Sequence, residues 1–149
     1  MTEMQKEWFD TLTDKEKDNL NKYTMEGVYD RINMGLRKGS LREMYQEMAD
    51  SMSGALQRNK LNANIRVYRG SSASIFKSVL DDETYKLMRE TKVDIDTLKS
   101  KLLGNIVNDK GFMSTTLNEM IVLYADNDFL SNVMLKIDID NFNIAYHGF

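Results

Sequence analysis

Near residue 60 the apolar side chains of this chain change their spacing, and that change constrains the fold more than any other feature. Before it, Leu41, Met44, Tyr45, Met48, Met52, Ala55 and Leu56 recur three and four residues apart, the repeat of one face of an α-helix. After it, Ile65 and Val67 sit two apart. Farther on, Val133, Leu135, Ile137 and Ile139 alternate with other residues through "NVMLKIDID", the repeat of a half-buried strand. Helices first and strands later predict an α+β fold. The methionine-rich stripe reads as core packing, because an unbranched thioether fills irregular gaps; a groove for a partner is the minority reading.

Local signals fill in the order. "TDKE" at 13–16 is a capping-box pattern, with Thr13 as N-cap and Glu16 three residues on. A further helix is predicted over about 25–38, ending at Gly39, a natural C-terminal cap. Ser40 and Glu43 repeat the capping-box spacing. Residues 74–88 predict one or two short helices, with Asp81 and Asp82 at a helix start, and residues 94–104 and 118–127 predict two more. "NIRVYRG" (64–70), "GFMSTT" (111–116), residues 132–140 and "NIAY" (143–146) read as strands.

Composition excludes several classes. A chain of 149 residues, 42% hydrophobic and 29% charged, suits one globular domain over 1–149. Its formal net charge of -3 argues against nucleic acid as a partner, which needs a basic face. Without cysteine there is no disulfide framework and no thiolate zinc site. No apolar run approaches the roughly 18–20 residues that cross a bilayer, and "MTEMQKEWFD" has no signal-peptide core. The default location is cytoplasmic, with export by a route that needs no cleaved signal left open. No membrane partner is expected.

Two stretches carry candidate chemistry. Arg69 ends the strand "RVYRG" and shares a side with Ile65 and Val67. An arginine at the lip of an apolar cleft suits a phosphate, because its fork makes paired charge-assisted bonds. In "GFMSTT", strand geometry places Phe112, Ser114 and Thr116 on one face and Met113 and Thr115 on the other. On spacing alone, a solvated arginine and an ordinary strand of hydroxyl residues remain the commoner reading of both.

The order of the pieces adds to this. "EWFDTLTDKEKDNLNKYT", "YDRINMGLR" (29–37), "RVYRG", "KGFMSTT" and "LKIDIDNFNIAY" follow one another from Trp8 to about Tyr146. In that order they resemble the Arg–Ser–Glu class of mono-ADP-ribosyltransferase domains, as in the C3-like exoenzymes and the enzymatic components of clostridial binary actin toxins. The resemblance implies N-terminal helices packed on a two-sheet β-sandwich, here partial, and a cleft for NAD. Arg69 would hold the dinucleotide through phosphate or ribose oxygens. Ser114 would brace the ribose next to nicotinamide, with Thr116, where serine is usual, supporting that catalytic-side network. Asn33 and Arg37, four apart on one helical face, would add contacts to the dinucleotide; a helix C-terminal turn whose arginine offsets the dipole accounts for them equally well. Tyr124 or Phe129 would flank the nicotinamide.

The pattern then stops. The family's chemistry depends on a Glu-x-Glu or Gln-x-Glu turn, whose second acid stabilises the oxocarbenium-like charge that develops on the ribose. After Ser114 the sequence has neither, and its one glutamate there, Glu119, sits at the start of a helix. Losing such a carboxylate costs on the order of 10²–10³ in rate. The chain as given is therefore expected to be inactive or nearly so, with NAD binding weak at most and closing strands of the fold missing beyond its end. An unpaired sheet edge would follow, open to self-association or to a partner. The alternative is a non-catalytic protein-binding module or inhibitor on the same fold, encoded by a phage or mobile element.

Other chemistry is thin. There is no P-loop, no G-x-S-x-G and no H-E-x-x-H. The single histidine, His147, lies almost at the end, and Asp138 and Asp140 read as the solvated side of a strand, so no metal site is expected.

Overall fold

The computed structural model describes residues 3–59, 63–124 and 133–140. These fall into two compact units. One holds the helices before Asn64 together with Lys110–Phe112; the other holds Ile65–Asp109 and Met113–Ile139.

The helical unit comprises α1 (Glu3–Asp10), α2 (Asp14–Tyr23), α3 (Val28–Lys38) and α4 (Glu43–Gln57). The expected capping box starts α2: Thr13 Oγ1 accepts from the Glu16 amide and Glu16 Oε2 accepts from the Thr13 amide at 2.8 Å. α3 ends as predicted at Gly39, which adopts a left-handed φ of 65°. The amide of Ser40 then donates to Gly35 O and that of Gly39 to Leu36 O, the paired closure of a Schellman motif.

That closure explains one departure from expectation. Ser40 ends α3 and does not cap α4, whose N-cap is Arg42 with no side-chain bond. Leu41 lies between the two helices, and its Cδ1 fills the space that a Cβ on Gly35 would take. The core of this unit is Ile32, Ala49 and Met52, with Leu20, Tyr23, Leu36, Leu41, Tyr45, Met48 and Phe112 packed around it. The α4 stripe is thus core, except Met44, which is exposed. Trp8 ties α1 to α4 through an indole N–H bond of 2.9 Å to Ala55 O. Arg58, just after α4, reaches Glu16 on α2 at 2.7 Å.

The second unit is built on an antiparallel pair, β1 (Ile65–Ser71) and β2 (Val133–Ile139). Their register places Ile65 opposite Ile139, Val67 opposite Ile137 and Arg69 opposite Leu135. The alternation read from 132–140 is therefore the inner face of β2. A 3-10 turn (Ala73–Phe76), α5 (Asp82–Arg89) and α6 (Ile95–Leu102) follow β1. Asp81 caps α5 through the Thr84 amide, and Asp94 caps α6 through the Thr97 amide. Lys101 on α6 pairs with Asp81, which holds that carboxyl far below its ordinary range. Ala73, Leu80 and Met88 form the core here, with Phe76, Val79, Tyr85, Leu98 and Val133 against it. The short α7 (Glu119–Tyr124) precedes β2. This is the mixed helix-and-sheet architecture predicted, with one antiparallel strand pair among the described residues. The expected strand over 143–146, and His147, lie outside them.

"GFMSTT" departs from a regular strand. Only Thr116 pairs with β1, through a single bridge to Tyr68. Two side chains take the backbone groups that a longer ladder would have used. The Phe112 amide donates to Asn33 Oδ1 at 2.8 Å, and the Ser114 carbonyl accepts from Arg69 Nη1 at 2.8 Å. Residues 113–115 are all exposed, so burial does not alternate through the stretch.

Candidate functional site

The sheet unit brings Arg69 and Ser114 together. Tyr68 and Thr116 exchange both backbone hydrogen bonds, at 2.8 and 2.9 Å, which lays residues 114–116 along the edge of β1 opposite β2. Arg69, one residue farther along β1, turns its guanidinium onto the Ser114 carbonyl. The Ser114 side chain is exposed. Thr116 is half-buried, and its hydroxyl accepts from the Asn118 amide at 3.1 Å. Asn118 Oδ1 in turn accepts from the Met120 amide, capping the first turn of α7.

Arg69 is only partly satisfied. Its Nε is buried and has no hydrogen-bond partner among the described residues. A buried donor left unpaired costs about 1–3 kcal/mol, so each one calls for an explanation; Asn19 Nδ2 in the helical unit is another. The Arg69 Nε is closed to solvent, so a ligand would meet the other donors of the fork first. A guanidinium anchored at one Nη suits an anionic oxygen such as a phosphate's through its remaining donors.

Asn33 and Arg37 lie in the helical unit, and they also share a neighbour. Asn33 is 8% exposed. Its Oδ1 accepts from the Phe112 amide and its Nδ2 donates to Tyr23 Oη at 2.9 Å. The rings of Tyr23 and Phe112 meet edge to face, with centroids 5.6 Å apart. Gly111 passes directly beneath both α3 side chains. A Cβ there would lie 2.9 Å from Arg37 Nη2 and 3.1 Å from Asn33 Oδ1, so a larger residue would have to push these side chains aside. The backbone of Tyr124 closes α7; its side chain, and all of Phe129, lie outside the described residues.

Several residues here carried no signal in the sequence reading. Tyr23 and Gly111 matter through partners far along the chain, which no local period reveals. Lys136, on the outer face of β2, contacts Glu119 at 2.6 Å and lies over the Tyr68 ring, 5.9 Å from its centroid. The only hint was the alternation of β2, which puts Lys136 opposite the apolar face. A recess of about 400 Å³ beside α5 is lined by Tyr85, Lys86, Arg89 and Glu90. All four come from α5 and its C-terminal cap, and a binding site ordinarily converges polar groups from several elements.

The chain has clear relatives. The family described as ADP-ribosyltransferase exoenzyme matches residues 2–146. Among solved structures, Plx2a, an ADP-ribosyltransferase toxin from Paenibacillus larvae, is 22% identical with a TM-score of 0.68, over 91% of this chain and 65% of that one. C3larvin toxin from the same organism is 21% identical with a TM-score of 0.62, over 91% and 66%. BECa, the ADP-ribosylating toxin of a binary enterotoxin of C. perfringens, solved with NADH, is 29% identical with a TM-score of 0.58, over 74% of this chain and 27% of that one. The chain thus spans about two thirds or less of these three proteins. No curated protein matches it significantly. No helix among the described residues is long and apolar enough to cross a membrane. From the match over nearly its whole length, and from a fold shared with these toxins, the chain belongs to the ADP-ribosyltransferase exoenzyme family.

Proposed function

We propose that this chain grips NAD through Arg69, and that these 149 residues transfer ADP-ribose to protein little or not at all. One observation carries the first half. The Arg69 guanidinium is anchored by Nη1 on the Ser114 carbonyl while its buried Nε has no partner among the described residues. The anchor fixes the plane of the fork, and the remaining donors are pre-organised for an anionic oxygen. NAD, when bound, supplies the ADP-ribosyl group with nicotinamide as leaving group. The exposed Ser114 hydroxyl braces the neighbouring ribose, and Thr116 holds that segment on β1. Tyr124 or Phe129 is the candidate ring for the nicotinamide. In the helical unit, Arg37 is the proposed dinucleotide contact, and Asn33 adds to it while holding Gly111 and Phe112 in place.

The second half rests on chemistry missing from the sequence after Ser114, where no Glu-x-Glu or Gln-x-Glu occurs. Glu119, the one glutamate there, opens α7 beside Lys136 and belongs to no such motif. Incubating the chain with labelled NAD and a cell lysate tests this. Labelling no stronger than in a protein-free control is expected, and robust labelling of any protein overturns it.

A second reading, a protein-binding module on the same fold, is favoured by one feature. Leu117, Met120, Ile121 and Leu123 are each exposed by half or more, an apolar surface of the kind that marks contact sites. Light scattering across a concentration series separates the versions. A growing mass supports self-association through this surface, and a constant monomer mass removes it.

A further inference from the structure

We propose that Lys136 is a positioning residue for the Ser114–Thr116 segment, acting through Glu119. The inference rests on the reading of Arg69 and Ser114 as a dinucleotide grip. Lys136 is the register partner of Tyr68 on β2. Its ammonium crosses the Tyr68 ring and reaches Glu119 Oε1 at 2.6 Å. Glu119 is the first residue of α7 and stands three residues after Thr116. Between them run two short bonds, from the Asn118 amide to Thr116 Oγ1 and from the Met120 amide to Asn118 Oδ1. Residues 114–120 are therefore fixed at one end by Arg69 and the Tyr68 bridge, and at the other by Lys136.

The second anchor is needed because α7 is only six residues long. A helix that short does not persist without tertiary contacts. Its first-turn carboxylate also lies at the positive end of the helix, next to the Asn118 cap, so the same group favours the start of α7 and ties it to the sheet. The Glu119 contact raises the Lys136 pKa. Both side chains remain partly exposed, so the pair is too weak to hold the unit together. It is strong enough to bias a short segment between docked and frayed states.

The test is a set of NAD titrations on Lys136→Gln, Glu119→Gln, the double variant, Lys136→Arg and the reversed pair Glu119→Lys with Lys136→Glu. Each neutral single variant should weaken NAD binding about three-fold. The double variant should lose no more than either single, because the two residues form one contact. Lys136→Arg and the reversed pair should recover most of the affinity. Amide exchange at Asn118 and Met120, measured without NAD, should quicken in the neutral variants. Raising salt to about 0.5 M should shrink the difference from the parent chain. Parent-like NAD affinity in Lys136→Gln, or losses that multiply in the double variant, overturns the inference and leaves the Arg69 reading standing. A parent chain that binds no NAD instead overturns the Arg69 reading, and the positioning role falls with it.

Discussion

The two units of this molecule bury their apolar side chains to different depths. In the helical unit Ile32 and Ala55 are fully buried and Met52 is 1% exposed; in the sheet unit Ala73 is as deep at 2%, but the larger core residues Val67, Leu80 and Met88 retain 5%, 7% and 9% exposure. The sheet unit also leaves Leu117 70% and Ile121 57% exposed, on the segment that leads from Thr116 into α7. Stability is not uniform across a protein, and elements with few buried apolar contacts open first. The difference teaches where the candidate chemistry sits. Arg69 and Ser114 belong to the thinner unit, held by paired hydrogen bonds and one exposed clasp more than by packing.

Substitutions can break that contrast. The largest expected effect is Met52→Ala, which should cost about 2–5 kcal/mol by leaving a cavity between α3 and α4. Denaturant unfolding followed by Trp8 fluorescence reads it, since Trp8 is bonded to α4. A loss below about 1 kcal/mol would mean that the helical core is looser than its burial implies.

Next comes Asn33→Ala. It removes the acceptor for the Phe112 amide and the donor to Tyr23. Stranding two partly buried groups should cost about 2–3 kcal/mol, and should also quicken exchange of the Phe112 amide.

Acid sharpens the comparison within the helical unit. The Arg58 guanidinium and the Thr13 amide beside Glu16 hold its carboxyl at about 2, against an ordinary value of 4.5. A depressed carboxylate contributes stability that is fully present above the ordinary value and is lost as pH falls toward the folded one. Between pH 4.5 and 2, the parent chain should lose stability more steeply than Glu16→Gln. Parallel curves from the two proteins would show that the ion pair contributes nothing. The smallest effect belongs to Ile121→Ala, which should change stability by no more than about 0.5 kcal/mol because the side chain is already in solvent. A larger loss would mean that the Ile121 side chain is packed against something.

How far the sequence foretold this arrangement depended on the range of the interaction. Thr13 with Glu16, and Gly39 at the end of α3, were readable because a cap and its partner lie within a turn of each other. The inner face of β2 was readable because alternation repeats four times. Ser40 misled because the same residue types serve two helix ends, and closing α3 at Gly35 used its amide first. "GFMSTT" misled because a strand's composition says nothing of which groups will claim its backbone. Asn33 binds the Phe112 amide from 79 positions away, and Arg69 takes the Ser114 carbonyl from 45. Contacts that distant leave no periodic trace. The family's motif order pointed to the Arg69 and Ser114 stretches, and the coordinates supplied the bond between them.

The central claim, that the Arg69 fork holds a dinucleotide, is tested most directly by calorimetric titration of NAD into the parent chain and into Arg69→Ala and Arg69→Lys. Saturable binding by the parent at millimolar or lower NAD is predicted, weakened at least about tenfold in both variants, because lysine keeps the charge but not the paired donors. Equal affinity in all three proteins, or no heat from the parent at any attainable NAD concentration, would contradict it.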